Sequence, residues 1–525
     1  MQRLLITLLL AAAACGNDTR AELPSAADRF PRLTHAQWES TVKDLFRLPE
    51  LPGLSSGFTP DPQLGRFDNN ILRLGLSQGL WRDYQQAAET VAARVVIDPA
   101  LYAQLATTAD PREFVATFGA RAFRRPMKDA EVDRYVALFD SAATVFPGQE
   151  PFKAGVRLVV QGMLQSPFFL YRSELSTAKD AMGMPLTQFE VASRLSYLFW
   201  NTMPDEDLFA AARAGELATY EGVRRHAERL FDDERTRAQF KRFHFQAFAI
   251  SEYSDLDKST TTFPNWRREI GGMMQEEALR FVDSVLVSEG SVADLLTSTK
   301  AYVNADLAKI YGLAGQFGTD YTEVELDSSA RAGLLTRAGF LARNATLDEA
   351  DPIHRGVFIN LGILCRNISA PANIPTDLPR IGDTNRQKVE SVTGVGTCGE
   401  NCHATIINPL GFAFENFDAV GAVRATDRGF PIDTTGTYHF VDGRVITYTN
   451  AVDLSKQLAK APEVHACYSR QLLEFMLGRD LALLDTGNVG ELAQQSLDKT
   501  SIKDLVLSVV ASNAFRSRSF ERSAP

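Results

Sequence analysis

Residues 398–418 read Cys398-Gly-Glu-Asn-Cys402-His403-Ala-Thr-Ile-Ile-Asn-Pro-Leu-Gly-Phe-Ala-Phe-Glu-Asn-Phe-Asp418. Two cysteines with a histidine directly after the second form the pattern that attaches a c-type haem. Cys398 and Cys402 would supply thioethers, and His403 the iron ligand. The usual spacing leaves two residues between the cysteines, whereas three stand here. Phe412, Phe414 and Phe417 follow and are expected to wall the porphyrin and keep water out. The second ring nitrogen of His403 is expected to donate to a carbonyl at or just before Pro409, which fixes the tautomer. Met476, the only methionine after the motif, is the candidate sixth ligand, with His439 and His465 as the others.

The same residues admit other uses. The cysteines are Cys15, Cys365, Cys398, Cys402 and Cys467. Outside the cytoplasm the last four should be consumed in pairs. Either haem takes Cys398 and Cys402 and a disulfide joins Cys365 to Cys467, or two disulfides form in one of three connectivities. Zinc held by the two thiols and His403 is a third option, but the adjacency of Cys402 and His403 makes a tetrahedral site awkward. Glu415 and Asp418 could serve as acid–base groups. The simpler reading gives them hydrogen bonds that hold the loop.

The beginning of the chain carries an export pattern: Arg3, an apolar run from Leu4 to Ala14, then Cys15. The run is too short to span a bilayer. Ala12 to Gly16 resembles a bacterial lipobox, in which Cys15 would be diacylated. Ordinary cleavage at an A-x-A site is the competing reading. The expected setting is therefore outside the cytoplasm, in the periplasm or on the cell surface, with a lipid anchor in the outer membrane. The net charge of -10 and the lack of a basic cluster interleaved with aromatics argue against nucleic acid as a partner.

With 525 residues the chain is long enough for several modules. Apolar residues recur at helical spacing through most of the first two thirds, and strand-like alternation is scarce before residue 320. One helix is expected over Val223–Phe248, and a small hairpin near Arg444–Tyr448. The expected divisions are 1–15 export signal, 16–30 tether, 31–100, 105–175 and 185–325 helical domains, 330–450 cysteine-motif domain, and 451–525 C-terminal helical domain. Gly75-Leu-Ser77-Gln-Gly79 matches a hydrolase nucleophile elbow, but Ser77 has no strand pattern before it and reads better as a helix cap. His35, His226 and His244 sit within helical patterns and read as ordinary hydrogen-bonding residues.

Several stretches together resemble a known group. They include RLTHAQWESTVKDLF (33 is the leucine), FVATFGARAFRRPMKDAEVDRYVALF, GMLQSPFFLYRSE, RAGLLTRAGFLARNATLDEADPIHRGVFI and ACYSRQLLEFMLGRDL, besides the cysteine stretch itself. The chain resembles bacterial exported proteins built from consecutive domains of unknown function, the 1587/1595/1592/1588/1585 series, associated with a c-type haem motif. The resemblance implies mainly helical domains followed by a cytochrome-c-like module. Relatives often have the standard cysteine spacing, from which Cys398 and Cys402 depart.

The fold expected is mainly α, a multi-domain helical protein with a cytochrome-c-like C-terminal module and a minor β-hairpin. The function expected is an exported lipoprotein for electron transfer or haem-linked redox chemistry, facing a redox partner protein or a polymeric substrate. A redox-inert surface scaffold with all four cysteines in disulfides is the alternative, and an extracellular hydrolase a weaker one.

Overall fold

A computed structural model describes residues 30–62, 65–179, 183–368 and 380–518. The export signal, Cys15, nearly all of the expected tether and the loop bearing Pro371, Pro375 and Pro379 lie outside those residues. The described chain is predominantly helical, with short strands only in two-stranded antiparallel pairs.

Many helices start by one local rule. A side-chain acceptor precedes a proline at the first helical position: Asp98-Pro99, Asp110-Pro111, Glu150-Pro151, Ser166-Pro167 and Asp351-Pro352. The acceptor satisfies backbone N–H groups that the helix cannot, and proline costs nothing where its missing N–H would be unpaired. Thr34 and Gln37 close a reciprocal cap on the helix His35–Leu45. Ser77 accepts from the Leu80 N–H and caps Gln78–Ile97, preceded by a 3₁₀ turn and not a strand, so the elbow reading fails.

The helices enclose two hydrophobic cores. The smaller is built mainly from residues 38–170, where Gln78–Ile97 and Asp129–Asp140 both lie against Pro151–Leu164. The buried Arg124 guanidinium stitches this part together by donating to the carbonyls of Phe168, Phe169 and Tyr171 at 2.8, 3.0 and 2.7 Å. The larger core runs from Phe67 to Phe515. In it the chain returns on itself: Ile502–Ala511 packs on Tyr220–Phe231, and Met184–Pro185 pairs with Ser517–Arg518.

One local expectation is corrected. The single helix over Val223–Phe248 is two, Tyr220–Phe231 and Glu234–Ala247, because Asp233 caps a fresh start by accepting from the Arg235 N–H. Lys300–Val303 pairs antiparallel with Thr322–Glu325, in keeping with the scarcity of strand-like alternation before residue 320. The later hairpin joins Gly436–His439 to Val445–Tyr448.

Candidate functional site

The cysteine stretch sits on a platform made by the segment before it. The helix Pro352–Phe358 runs into a π turn, Ile359–Ile363, and ends at Cys365, whose φ is +48°. Helix Pro352–Phe358 crosses Asn408–Phe412 at very close range, and two glycines make this feasible. A Cβ on Gly411 would run into the Pro352 carbonyl, and one on Gly356 into the Ile407 carbonyl.

Between them lies the motif. Cys398 is in an exposed turn, and Glu400–Ile407 is π-helical, carrying Cys402 and His403. A π turn closes i→i+5 bonds and takes up one residue more than an α turn. Cys402 and His403 are thus held on a locally widened helix, with Cys398 in the turn before it. The motif turn packs against Pro352–Phe358, Asn385–Thr393, Asn408–Phe412 and the strand Gly436–His439.

Cys398 and Cys402 are free thiols, the first exposed and the second half-buried. Cys365 and Cys467 form a disulfide with their Cα atoms 5.3 Å apart, so the reading with two disulfides is corrected: among the described residues only this pair is bridged. The buried Cys467 and half-buried Cys365 lie beside Gln471, which donates to the Gly362 carbonyl at 2.9 Å. Among the described residues no three His, Cys, Asp or Glu side chains gather as a metal cluster.

His403 is half-buried, and its Nδ1 is sealed from solvent without a well-formed hydrogen bond. Asn408 Oδ1 is likewise sealed and unpaired, while Asn408 Nδ2 donates to Thr393 Oγ1 at 2.9 Å. Burial holds the imidazole below its usual titration range, and the Asn408 amide partly offsets this. The expected acceptor, the Pro409 carbonyl, is taken instead by the Tyr448 hydroxyl of the late hairpin. The amide that attends His403 is therefore a side chain and not the backbone.

Other expected parts lie elsewhere. Phe414 and Phe417 are fully buried in the larger core, Phe414 against Phe340 at 5.9 Å and Phe417 under the Arg331 guanidinium at 4.9 Å. Phe412 lies beneath Arg386 at 4.6 Å. These rings anchor the loop in the core and do not stand free as a wall. Met476 is buried in the core on Pro462–Leu477, which packs on Thr486–Leu497 and the π turn Ile359–Ile363. His465 uses both nitrogens: Nε2 donates to the Ala459 carbonyl at 3.1 Å and Nδ1 accepts from Ser496 at 2.7 Å. His439 is exposed on the hairpin.

Glu415 and Asp418 hold the loop. Glu415 is buried, faces Asn385 Nδ2 at 3.2 Å and Arg424 at 3.6 Å, and burial raises its pKa against the pull of Arg355 and Arg424. Asp418 Oδ1 accepts from the Val420 and Ala422 N–H groups at 2.9 and 2.8 Å.

Two residues at this site gave no signal in the sequence. Arg355 is fully buried and donates to the carbonyls of Phe414, Phe417, Leu341 and Asp418 at 2.8–3.3 Å, with burial drawing its pKa down to about 10. Asn360, also fully buried, joins the two π segments. Its Nδ2 donates to the Ile406 carbonyl at 3.1 Å, and its Oδ1 accepts from Tyr438 at 3.1 Å. Both substitute for backbone partners that irregular segments lack.

Five family models match in succession, each described as a protein of unknown function. They are DUF1587 over residues 31–97, DUF1595 over 110–174, DUF1592 over 186–313, DUF1588 over 331–427 and DUF1585 over 446–515. The motif lies inside the DUF1588 match, whose short name is PSCyt3. No curated protein and no solved structure matches the chain. In order and in kind, then, the chain belongs to the group of proteins assembled from this series of domains of unknown function.

Proposed function

We propose that Cys398, Cys402 and His403 form a c-type haem attachment site, and that the protein is an exported, lipid-anchored carrier of electron transfer or haem-linked redox chemistry. The observation that carries this reading is the sorting of the thiols. Cys365 and Cys467 are bridged, while Cys398 and Cys402 stay free beside His403.

The donor set fits the group. Cys398 is exposed in the turn just before the π segment that carries the half-buried Cys402, and the sealed Nδ1 of His403 leaves Nε2 to reach the iron. A proton on Nδ1 would be held by the otherwise unpaired Asn408 Oδ1, which orients the ring and raises its basicity. Val395, three residues before Cys398 and 83% exposed, adds apolar surface next to the motif. Bound there, the haem would supply one-electron chemistry at a potential set by its second axial ligand and its burial. Gly356, Gly411, Arg355 and Tyr448 hold the turn in place. The PSCyt3 name of the model over 331–427 accords with this reading.

The test is expression in a host with a haem-c maturation system. A c-type reduced-minus-oxidised band and a covalent mass gain of one haem, lost in Cys402→Ser, are expected. A mass equal to the polypeptide with one disulfide, without that band, would overturn the reading. That outcome would favour a redox-inert binding scaffold, to which the burial of Phe414 and Phe417 in the core already lends itself.

A further inference from the structure

A second feature lies far along the chain from the motif. A cavity of about 350 Å³ opens where three matched segments meet: the end of the helix His35–Leu45, the helix Pro111–Ala122, and the helices Gln188–Phe199 and Glu206–Ala214. Its size falls in the range of small-molecule sites, which favour such junctions.

Its inner surface is aromatic. Phe46, Phe114, Phe118, Phe189 and Phe209 line it, with Phe46 and Phe118 centred 5.7 Å apart and Phe114 stacked on Phe118 at 5.8 Å. Its rim is cationic. Arg47, Arg121, Arg125 and Arg213 line it against one carboxylate, Glu206, in a protein whose net charge is -10.

The guanidinium groups are unequally occupied. Glu131 holds Arg125 in a two-pronged bond at 2.9 and 2.8 Å. Arg121 donates to the Asp44 carbonyl at 3.4 Å, and its sealed Nε lies 3.8 Å from the Glu206 carboxylate, too far for a hydrogen bond. Among the described residues, the side chains of Arg47 and Arg213 make no ion pair. Arg47 also keeps a φ of +51° at the helix end, a position where glycine would cost less. A neutral or cationic ligand would leave the sealed Arg121 Nε without a hydrogen bond, which is unfavourable for a half-buried guanidinium. A polymer does not fit the volume.

We infer that this cavity binds a small amphipathic carboxylate, its ring or chain among the phenylalanines and its carboxylate on Arg121, with Arg47 and Arg213 closing over it. An Arg–carboxylate contact in a partly dry site is both strong and geometrically selective. The proposal is independent of the haem reading, and its readout is binding.

Calorimetric titration of the full chain with 4-phenylbutyrate tests it, with 4-phenylbutyramide as the uncharged probe. The acid is expected to bind, and the amide to bind about tenfold or more weakly. Arg121→Gln should weaken the acid by a similar factor. The surface double variant Arg47→Gln/Arg213→Gln, which leaves the fold undisturbed, should weaken it and flatten its dependence on salt. No heat with millimolar acid, equal binding of acid and amide, or affinity unchanged in the double variant would each overturn the proposal.

Discussion

His244 lies sealed in the larger core, with Nδ1 donating to the Phe240 carbonyl at 2.7 Å and Nε2 accepting from the Tyr468 hydroxyl at 3.0 Å. Burial draws its pKa from 6.5 down to about 4. Between those values the unfolded chain takes up a proton that the folded chain refuses, so stability falls as pH falls through this window. The loss attributable to this ring is at most about 3 kcal/mol. Urea titrations at pH 7 and pH 4.5 should show it in the wild type and show a smaller difference in His244→Gln. At this scale the sequence was uneven as a guide. Ser77 and Thr34 announced themselves as caps because capping depends on the next three residues. The hydrogen-bonding role of His244 was the ordinary one. Arg355 gave no sign, because a lone arginine in a helical pattern normally points to water. Only the fold surrounds it with four carbonyls.

Among elements, the crossing of Pro352–Phe358 over Asn408–Phe412 fixes the position of the motif turn. It depends on the absence of side chains at Gly356 and Gly411. Gly411→Ala places a methyl group against the Pro352 carbonyl, and the helices must separate. Overpacking of this kind costs about 1–3 kcal/mol. A lowered thermal midpoint in Gly411→Ala, with Gly318→Ala at an open position of ordinary backbone conformation as control, checks the expectation. The helix starts were legible as acceptor–proline pairs. The π turn over Glu400–Ile407 was not, because its i→i+5 geometry comes from the packing around it and leaves no periodicity to read. The motif was legible as residues and incompletely as a place: His403 has Asn408, and not a backbone carbonyl, beside its inner nitrogen.

For the whole molecule, five matched segments share two cores, and the last segment helps to build the core of the third. Sequence pattern shows which face of a helix is apolar, but not which distant helix covers it, so the return of Ile502–Ala511 to Tyr220–Phe231 could not be read. The bridge between Cys365 and Cys467 spans 102 residues and ties the motif segment to the C-terminal helices. Closing a loop of that length restricts the unfolded chain. A double Cys365→Ser/Cys467→Ser variant should lose about 2–4 kcal/mol of stability by denaturant titration.

The order of the cysteines along the chain also bears on how the protein is made. Of the four cysteines after Cys15, Cys365 leaves the ribosome first, and Cys398 and Cys402 follow well before its native partner Cys467 exists. An oxidant acting on the emerging polypeptide therefore meets the wrong pairs first. The native pattern needs either late oxidation or a catalyst that reshuffles sulfur bonds. Biogenesis, more than equilibrium stability, is where this connectivity makes its demand.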